Sequence, residues 1–402
     1  MRLRADGQSE LRSGLEVLAS AQTSAAVLRQ HAADVDRDAA FPRAGMGALR
    51  ESGLMGLLVP REFGGAGGSL TLMAEVATVL GGACASTAMI WAMHCQQVAV
   101  IEAHAAEPLR SRVLRRVADE GALIASVTSE RGKGGDLFVA VAPLVREANE
   151  LDVVREAPVV TAGAEADGYL FTMRASPTSP PSAVSLVYAD RAQLEVTPRS
   201  AWRALGMRGT ASVGLLLKGR LPADQLIGED AGFRMLAIGT FIPVGHIAWA
   251  ACWLGAAAEA MRTMLAVFRD PQTRRRFDVH SDLFCERLAR IRLRLDVVSA
   301  YLRQLLAEYE RLRAGGSNLE RFDLASFQIH VNNLKLIASE SLFETIHELV
   351  QISGLEYGYL PGAGPLERTF RDLRSASLML SNDRLAVANG RLALFDRALT
   401  LS

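Results

Sequence analysis

The feature that most restricts the fold is an apolar run at residues 240–257, broken only by His246. The run is rich in alanine and glycine and continues in a helical pattern into Glu259 and Arg262. A helix that is apolar on every side is buried, either in the core of a large protein or in a membrane. Because charged residues follow in the same helix, we predict a buried core helix and no membrane span.

Two amphipathic patterns after this run predict long helices that pack together. Their apolar residues recur at steps of three and four, which places them on one face of a helix. The first helix is expected to stop at Gly315-Gly316, since glycine ends helices. Antiparallel helices of this kind form a bundle, which we assign to residues 231–402. The two apolar stripes are Leu288, Ile291, Leu295, Val298, Leu302, Leu305 and Tyr309, and then Phe327, Val331, Leu334, Ala338 and Leu342.

The rest of the chain divides into a helical part, residues 1–120, and a part with short β-type runs, residues 121–230. The helical part is rich in alanine and leucine. In the second part, runs such as 122–127 and 183–188 alternate with turn clusters such as 176–181. Short strands at this spacing are typical of a sandwich or a barrel. We therefore predict an α+β chain with three domains in the order helices, small β domain, helical bundle.

Charge and cysteine content argue against several classes of function. Lys plus Arg and Asp plus Glu each number 44, so no net charge attracts nucleic acid or an acidic membrane. The four cysteines show no CxxC pairing and the seven histidines no metal-binding spacing, which predicts a reducing compartment and no metal site. The N-terminus lacks the apolar core of a signal peptide, so we expect a cytoplasmic protein.

Several short motifs carry groups that bind polar ligands. In the stretch 126–136 a β-type run ends in hydroxyls and then glycines, and such backbone can hold a polar ring edge or a phosphate. Thr161 ends a second apolar run, and the arginines of 274–277 can form forks to a phosphate. Each motif also has an ordinary structural interpretation: a β-turn, a strand residue, a solvated helix face.

The order of these motifs resembles the acyl-CoA dehydrogenase superfamily over nearly the full chain. ESGLMGLLVPREFGGAGGSL resembles the N-terminal signature of that family, and TSERGKGGD resembles its Thr-Glu-Pro-x-x-Gly-Ser-Asp strand end. WRALGMRGTAS, RRRF, QISGLEYGY and PLERTFRD follow in the family's order. The resemblance implies the family fold, which is an N-terminal helical domain, a central small β-barrel and a C-terminal four-helix bundle.

The resemblance also implies FAD, held between the β domain and the bundle of a homodimer or homotetramer. By this resemblance, hydroxyls and glycines at the strand end correspond to residues that hold the flavin ring. The segments at 274–277 and 351–354 correspond to residues that contact the cofactor of a neighbouring subunit. Val159 replaces a tryptophan that often covers the ring, and Leu355 replaces a second glycine. The implied cofactor-binding residues are Ser126, Thr128, Ser129, Gly134, Gly135 and Thr161, then Arg274, Phe277, Gln351 and Gly354, and finally Asn382.

The catalytic carboxylate of the family is missing from both of its usual positions. Its glutamate aligns with Leu380, and the alternative position on the core helix aligns with Gly245, next to His246. Asp383 lies three residues after the vacant position and is the predicted catalytic residue. The other interpretation is a solvated Asp383 paired with Arg384.

These residues predict an FAD-dependent oxidoreductase that desaturates the α,β bond of an acyl thioester carried by CoA or a carrier protein. An electron-transfer flavoprotein or a flavin reductase is its expected partner, and no nucleic acid is expected. One alternative is a flavin-dependent monooxygenase of the same fold, which uses reduced flavin and oxygen and needs no base for the α-proton. The other is a non-catalytic flavin-binding homologue, which a missing base permits. Fold alone does not separate the three.

Overall fold

A computed structural model describes residues 2–316, 319–361, 364–397 and 399–401. Helices extend to Glu120, strands lie between Ile124 and Ile227, and helices resume at Phe233. This order confirms the α+β class and the arrangement of a helical part, a β part and a second helical part. The bounds of the three domains at residues 120 and 230 stay a prediction.

The N-terminal helices surround one almost fully buried helix, α4. Ser69 begins the helix before it, because its side chain accepts a hydrogen bond from the Leu72 amide at 3.1 Å, as an N-cap does. Nearly every residue of α4 between Ala85 and Ile101 is buried. The helices are α1 (Arg2–Asp38), α2 (Arg43–Glu51), α3 (Leu70–Ala83), α4 (Ala85–His104) and α5 (Leu109–Glu120).

The β part consists of two four-stranded sheets, which corrects the expected closed barrel. One sheet has the order β1-β4-β5-β8 and the other β2-β3-β7-β6, and within the described residues no strand joins them into one ring. Among the strands of the described residues, β1 and β4 form the one parallel pair. The strands are β1 (Ile124–Val127), β2 (Val145–Glu147), β3 (Glu150–Val160), β4 (Gly168–Arg174), β5 (Val184–Asp190), β6 (Leu194–Pro198), β7 (Val213–Pro222) and β8 (Leu226–Ile227).

The two sheets face each other across a small core of their own. Its side chains alternate along the strands, as the period of two in a strand requires. Leu151 and Val153 of β3 pack there with Phe171 of β4 and Leu217 of β7. The opposite face of the first sheet packs on the helices, so this sheet lies between the second sheet and the helical parts.

The C-terminal helices are built around α7, which contains the apolar run. Of the apolar window within Phe233–Arg269, 89% is buried inside the protein, which confirms the predicted core helix. The helix α8 ends at Ala314, directly before Gly315 as predicted. The helices are α6 (Phe233–Leu236), α7 (Ile242–Arg269), α8 (Asp282–Ala314), α9 (Ala325–Gly354), α10 (Leu366–Arg374) and α11 (Asn382–Ala393).

The helices α3 and α7 cross with their backbones in direct contact. A Cβ atom on Gly81 would overlap the carbonyl of Cys252, and one on Gly255 would overlap the carbonyl of Thr78. Glycine is therefore the residue that permits this approach. The buried apolar residues of both helical parts form one continuous core, so the helices on either side of the β part form a single packed body.

Candidate active site

A cavity of about 450 Å³ lies where the β part meets the C-terminal helices. Four parts of the chain form its wall: the ends of strands β1 and β3, the glycine loop after β1, the helices α4 and α7, and the segment between α10 and α11. The lining residues are Ser126, Thr128, Ser129, Val159 and Thr161; Lys133, Gly134, Gly135 and Leu137; Met93, Gln96, Phe241, Ile242, His246 and Trp249; and Leu378, Met379, Leu380, Ser381 and Arg384.

The strand-end hydroxyls predicted from the sequence come together in this wall. Ser129 Oγ donates to the Val159 carbonyl at 2.6 Å and accepts from the Val159 amide at 3.2 Å, which ties the ends of β1 and β3 together. The hydroxyls of Thr161 and Ser212 are 3.1 Å apart. Thr128 and Ser126 also line the cavity. The structure thus gathers all four predicted hydroxyl residues at one edge.

The glycine loop after β1 has a backbone that favours glycine. Gly132, Gly134 and Gly135 have φ angles of 83°, 59° and 81°, the left-handed region that other residues rarely adopt. A Cβ on Gly134 would also lie 2.8 Å from Nη2 of Arg384. The carboxylate of Glu130 accepts from the amides of Val141 and Ala142 at 2.8 Å each, which holds the chain that follows the loop. Gly134 and Gly135 therefore present bare backbone to the cavity.

Two buried cations support this loop, and sequence reasoning missed both. Arg155 Nη2 donates to the Ser129 carbonyl at 2.7 Å, and its guanidinium lies 3.5 Å from Glu130. Lys133 Nζ donates to the Val139 carbonyl at 3.0 Å. Burial, and then the charge of Arg155, lowers the pKa of Lys133 to about 8. Lys133 therefore brings a cation to the β side of the cavity, whereas Arg155 is paired with Glu130 behind the lining.

The wall segment that holds the vacant carboxylate position is fixed by a buried lysine. Lys335 Nζ of α9 donates to the Leu380 carbonyl at 2.9 Å and to Asn382 Oδ1 at 2.5 Å. Asn382 Nδ2 in turn donates to Glu340 at 2.8 Å. Burial lowers the pKa of Lys335 to about 8. Asn382 thus holds the segment in place and does not itself line the cavity.

No carboxylate lies at either position where the sequence predicts the family's base. Leu380 lines the cavity in its place, and the amide of Gln96 covers Gly245 and donates to the Phe241 carbonyl at 2.6 Å. Asp383 is exposed and lines an adjacent cavity of about 640 Å³. The two cavities share Gly135, Leu137, Ile242, Leu380 and Arg384. Among the described residues that line the first cavity there is no Asp or Glu. The catalytic role of Asp383 stays a prediction.

Two aromatic side chains of α7, His246 and Trp249, belong to the opposite wall. His246 Nδ1 is 3.1 Å from the Val331 carbonyl, so Nδ1 carries the proton and donates, and Nε2 has the free lone pair. Burial, and then the charge of Lys335, lowers the pKa of His246 to about 3. His246 Nε2 and Trp249 Nε1 are buried and have no hydrogen-bond partner in the described part of the chain.

The four outer cofactor residues predicted from the sequence lie elsewhere. Arg274, Phe277, Gln351 and Gly354 line neither of these two cavities. The Phe277 ring packs on Phe268 and Tyr357 at centroid distances of 5.0 and 5.7 Å, and Arg276 pairs with Glu356. The two segments therefore meet each other at the C-terminal end of α9.

The cavity suits a flat ligand that has one polar edge and apolar faces. Hydroxyls and bare backbone line one edge, while Val159, Phe241, Trp249 and Leu380 offer apolar contact. Val159 leaves 44% of its surface exposed, so room remains where a larger side chain would cover a ring. These residues fit the isoalloxazine ring of a flavin. Among the described residues no group of three or more His, Cys, Asp and Glu is placed to hold a metal ion.

Two family models match this chain, one before the β part and one after it. Residues 17–121 match the family model "Acyl-CoA dehydrogenase, N-terminal domain", and residues 231–383 match "Acyl-CoA dehydrogenase, C-terminal domain". The two matches together cover more than half of the chain.

Similar curated proteins and solved structures include the following. "Probable acyl-CoA dehydrogenase FadE25" of Mycobacterium tuberculosis is 26% identical over 376 residues, 91% of this chain and 89% of that relative. The Mycobacterium leprae protein of that name is 27% identical over 230 residues, 56% of this chain and 57% of that relative. The structure of butyryl-CoA dehydrogenase from Megasphaera elsdenii has a TM-score of 0.83 at 17% identity, and the match covers 95% of this chain and 98% of that one. At that identity the structural likeness shows the fold alone.

Proposed function

The chain belongs to the acyl-CoA dehydrogenase family, and from that premise we propose that it desaturates the α,β bond of an acyl thioester with FAD as cofactor. The observation that supports the proposal is the cavity itself. Strand-end hydroxyls and a left-handed glycine loop form a polar edge opposite apolar helix residues, at the junction of the β part and the C-terminal helices.

The residues of the polar edge would hold the flavin ring. Ser126, Thr128, Ser129 and Thr161 supply hydroxyls there, and the loop at residues 134–135 supplies backbone amides. When bound, FAD supplies the acceptor for the two electrons that the substrate loses. The buried Arg155 keeps the Ser129 carbonyl in place, so the edge is formed before any ligand enters, which lowers the cost of binding.

We propose that the outer residues complete the cofactor site of a neighbouring copy in a homodimer or homotetramer. Arg274, Phe277, Gln351 and Gly354 do not line the cavity, and the segments that carry them meet at the end of α9, where Phe277 packs on Tyr357 and Arg276 pairs with Glu356. Exposed apolar side chains on α8, Leu293 and Val297 among them, support contact with a second copy.

The substrate's α-proton needs an acceptor, and the proposal assigns it to Asp383. A general base is a positioned side chain, and among the described residues that line the cavity there is no Asp or Glu. Asp383 follows the vacant position along the chain and lies on the adjacent cavity. It can act only on a substrate that passes the rim shared by the two cavities, at Leu380 and Arg384.

Anaerobic flavin reduction tests the proposal. We expect the purified protein to be yellow with bound FAD and to lose its absorbance near the flavin maximum when a suitable acyl-CoA is added without oxygen. An electron-transfer flavoprotein should then restore the colour. Ser129→Ala should weaken FAD binding, whereas Ser176→Ala, in an exposed turn of the β part, is the matched control. A protein that does not bind FAD, or is bleached by no acyl thioester, overturns the proposal.

A second candidate function is flavin-dependent oxygenation. The observation that favours it is the lack of Asp and Glu among the described residues of the cavity lining, because a monooxygenase needs no base for an α-proton. It predicts oxygen consumption that requires an external flavin reductase, with one oxygen atom found in the product. Anaerobic bleaching by acyl-CoA favours the dehydrogenase.

We propose a cytoplasmic location and a substrate carried by CoA or by a carrier protein. The single described helix that is long and apolar enough to span a membrane is the buried core helix, which supports a water-soluble fold. The balanced charge of the chain gives no attraction to nucleic acid.

A further inference from the structure

The first cavity and the adjacent one of about 640 Å³ meet along a common boundary, which we call the shared rim. The shared rim consists of the five residues that line both cavities: Gly135, Leu137, Ile242, Leu380 and Arg384. Three of these are apolar and one is a glycine, so in the described lining Arg384 is the one polar side chain of the shared rim. A ligand that extends from one cavity into the other passes this guanidinium.

The guanidinium of Arg384 lies against the lining of the first cavity. Its Nη2 atom is 2.8 Å from the place that a Cβ on Gly134 would take, and Gly134 is itself a lining residue. The glycine therefore leaves the space that the guanidinium occupies. Arg384 is also exposed, so a ligand can reach its side chain.

The side chain of Arg384 has no acceptor in the protein. Within the described residues it makes no hydrogen bond and no ion pair. Asp383 precedes it in the chain, but successive residues of a helix do not face each other. Arg234, another arginine of the second cavity, is 3.2 Å from Asp323 and so has a partner. The donors of Arg384 are therefore free for an acceptor on a ligand.

The thioester carbonyl is the acceptor that an acyl thioester brings to the shared rim. The proposed function places the reacting α and β carbons beside the flavin in the first cavity. The second cavity is lined by exposed residues such as Val387 and Arg391, so it offers the carrier arm a way out. The thioester joins the acyl group to that arm, and a substrate that occupies both cavities thus has its carbonyl between them, at Arg384.

We propose that Arg384 is a catalytic residue that donates hydrogen bonds to the thioester carbonyl oxygen and stabilises the negative charge that develops there. The proposal rests on the proposed dehydrogenase function and adds a residue to the same site. When the α C–H bond breaks, the proton goes to the base and the electron pair moves towards the carbonyl oxygen. The guanidinium keeps its own protons and holds that charge. The charge disappears when a hydride leaves the β carbon for the flavin and the double bond forms.

The carbonyl stretch of bound crotonyl-CoA tests the contact without turnover, because this thioester already has the α,β double bond. An isotopic label at the carbonyl carbon identifies its band in infrared difference spectra of the FAD-loaded protein. Hydrogen bonds from a guanidinium weaken the C=O bond, so we expect the band to move to lower frequency when crotonyl-CoA binds to the unmodified protein. Arg384→Met should lose the greater part of this shift.

The rate of anaerobic flavin reduction by butyryl-CoA measures the effect on the reaction. Arg384→Met should lower this rate about a hundredfold, which is the usual cost of losing one donor to a developing oxyanion. The dissociation constant of crotonyl-CoA should rise less than about tenfold, because the contact strengthens as charge develops. Arg384→Gln keeps an N–H donor without the charge and should give an intermediate rate, since charged hydrogen bonds are the stronger ones.

Arg391→Met is the matched control. Arg391 lies two turns further along α11, is exposed, and has no side-chain partner within the described residues. It lines the second cavity but not the first. The control should keep both the band position and the rate. FAD content and melting temperature are measured for every variant.

An unchanged band and an unchanged rate in FAD-loaded Arg384→Met overturn the role of Arg384 and leave the dehydrogenase function in place. Weaker FAD binding in that variant, with an unchanged band once FAD is saturating, assigns the guanidinium to an anionic group of the cofactor and also overturns the role. If no acyl thioester bleaches the unmodified protein, the proposed function fails and this role fails with it. If Arg384→Met does not fold, Arg384→Gln decides, and a rate equal to that of the unmodified protein overturns the role.

Discussion

Leu380, the residue that the sequence predicts at the position of the family's carboxylate, has a strained backbone. Its φ angle is 51°, a conformation that costs a residue with a side chain about 1–2 kcal/mol. Such strain persists only where the surroundings hold it, and here Lys335 donates to the Leu380 carbonyl at 2.9 Å. The leucine is therefore an integral part of the wall.

The replacement Asp383→Asn tests which group takes the substrate proton. If Asp383 acts as the base, the rate of anaerobic flavin reduction should fall about a hundredfold or more, because a positioned base contributes at least that much. Asp224→Asn, at an exposed turn of the β part, is the control and should keep the rate. A rate within a factor of about three of the unmodified protein would show Asp383 to be a solvated residue of the first turn of α11, and would assign removal of the α-proton to another group.

The sequence predicts the hydroxyl edge of the cavity but not its charge. Ser126, Thr128 and Ser129 are neighbours at one strand end, so local pattern brings them together. Arg155 acts through contacts with distant backbone, such as the Thr172 carbonyl at 3.0 Å, and Lys133 donates to the Val139 carbonyl across its own loop. Local pattern does not reveal which carbonyl a long side chain reaches, so the positive side of the cavity appears only in the fold.

At the scale of elements, the contact of α9 with the segment between α10 and α11 controls the cavity wall. Lys335→Met removes both hydrogen bonds to that segment. Amide hydrogen exchange of residues 375–385 should become faster, and FAD affinity should fall several-fold, because the wall loses its support. Global stability should change less, since burial of the charge was itself costly.

Lys218→Met is the control for this change, because Lys218 is exposed on β7. Exchange of residues 375–385 should match the unmodified protein in that variant. Unchanged exchange in Lys335→Met would show that apolar contacts alone fix the wall.

Helices were easier to predict than the arrangement of strands. The stripes of α8 and α9 mark long helices directly, since 3.6-residue periodicity is a property of one segment. Alternation in a strand identifies the buried face but not the partner at its edge. β1 pairs with β4, and β3 pairs with β7 across more than fifty intervening residues. The separation into two sheets therefore depends on pairings that no single segment encodes.

At the scale of the molecule, stability should fall in mild acid because three histidines stay neutral in the fold, two of them buried and His104 half-buried. Burial lowers the pKa of His94 and His104 to about 4 and that of His246 to about 3. As pH falls below 6.5 the unfolded chain takes up protons there that the folded chain does not, so stability decreases with a slope of about 1.4 kcal/mol per pH unit for each group.

Asp372 opposes part of this effect. Burial raises its pKa to about 7, so between pH 7 and pH 4 the folded chain keeps a proton that the unfolded chain releases, and stability increases as pH falls. The pH dependence that Asp372 adds to the free energy of unfolding is about equal to that of one histidine and opposite in sign. We therefore expect a net loss on the order of 2 kcal/mol per pH unit between pH 6 and pH 5.

Urea unfolding at pH 6 and pH 5 measures this slope. His104→Gln should reduce the slope by about 1 kcal/mol per pH unit, whereas His280→Gln, at an exposed position, is the comparison variant. Stability that rises from pH 6 to pH 5 would contradict the assignment of the buried histidines.

The backbone contact between α3 and α7 at Gly81 and Gly255 determines which fragments of this chain can fold on their own. A cut before Phe233 would separate α3 from α7. Each fragment would then expose the apolar face that the other one covers. The β part lies in the chain between the two sets of helices. Its two sheets enclose a core that is separate from the core of the helices. We therefore expect chimaeras between relatives to fold when the β part is exchanged as a unit. The N-terminal and C-terminal helices should come from the same protein.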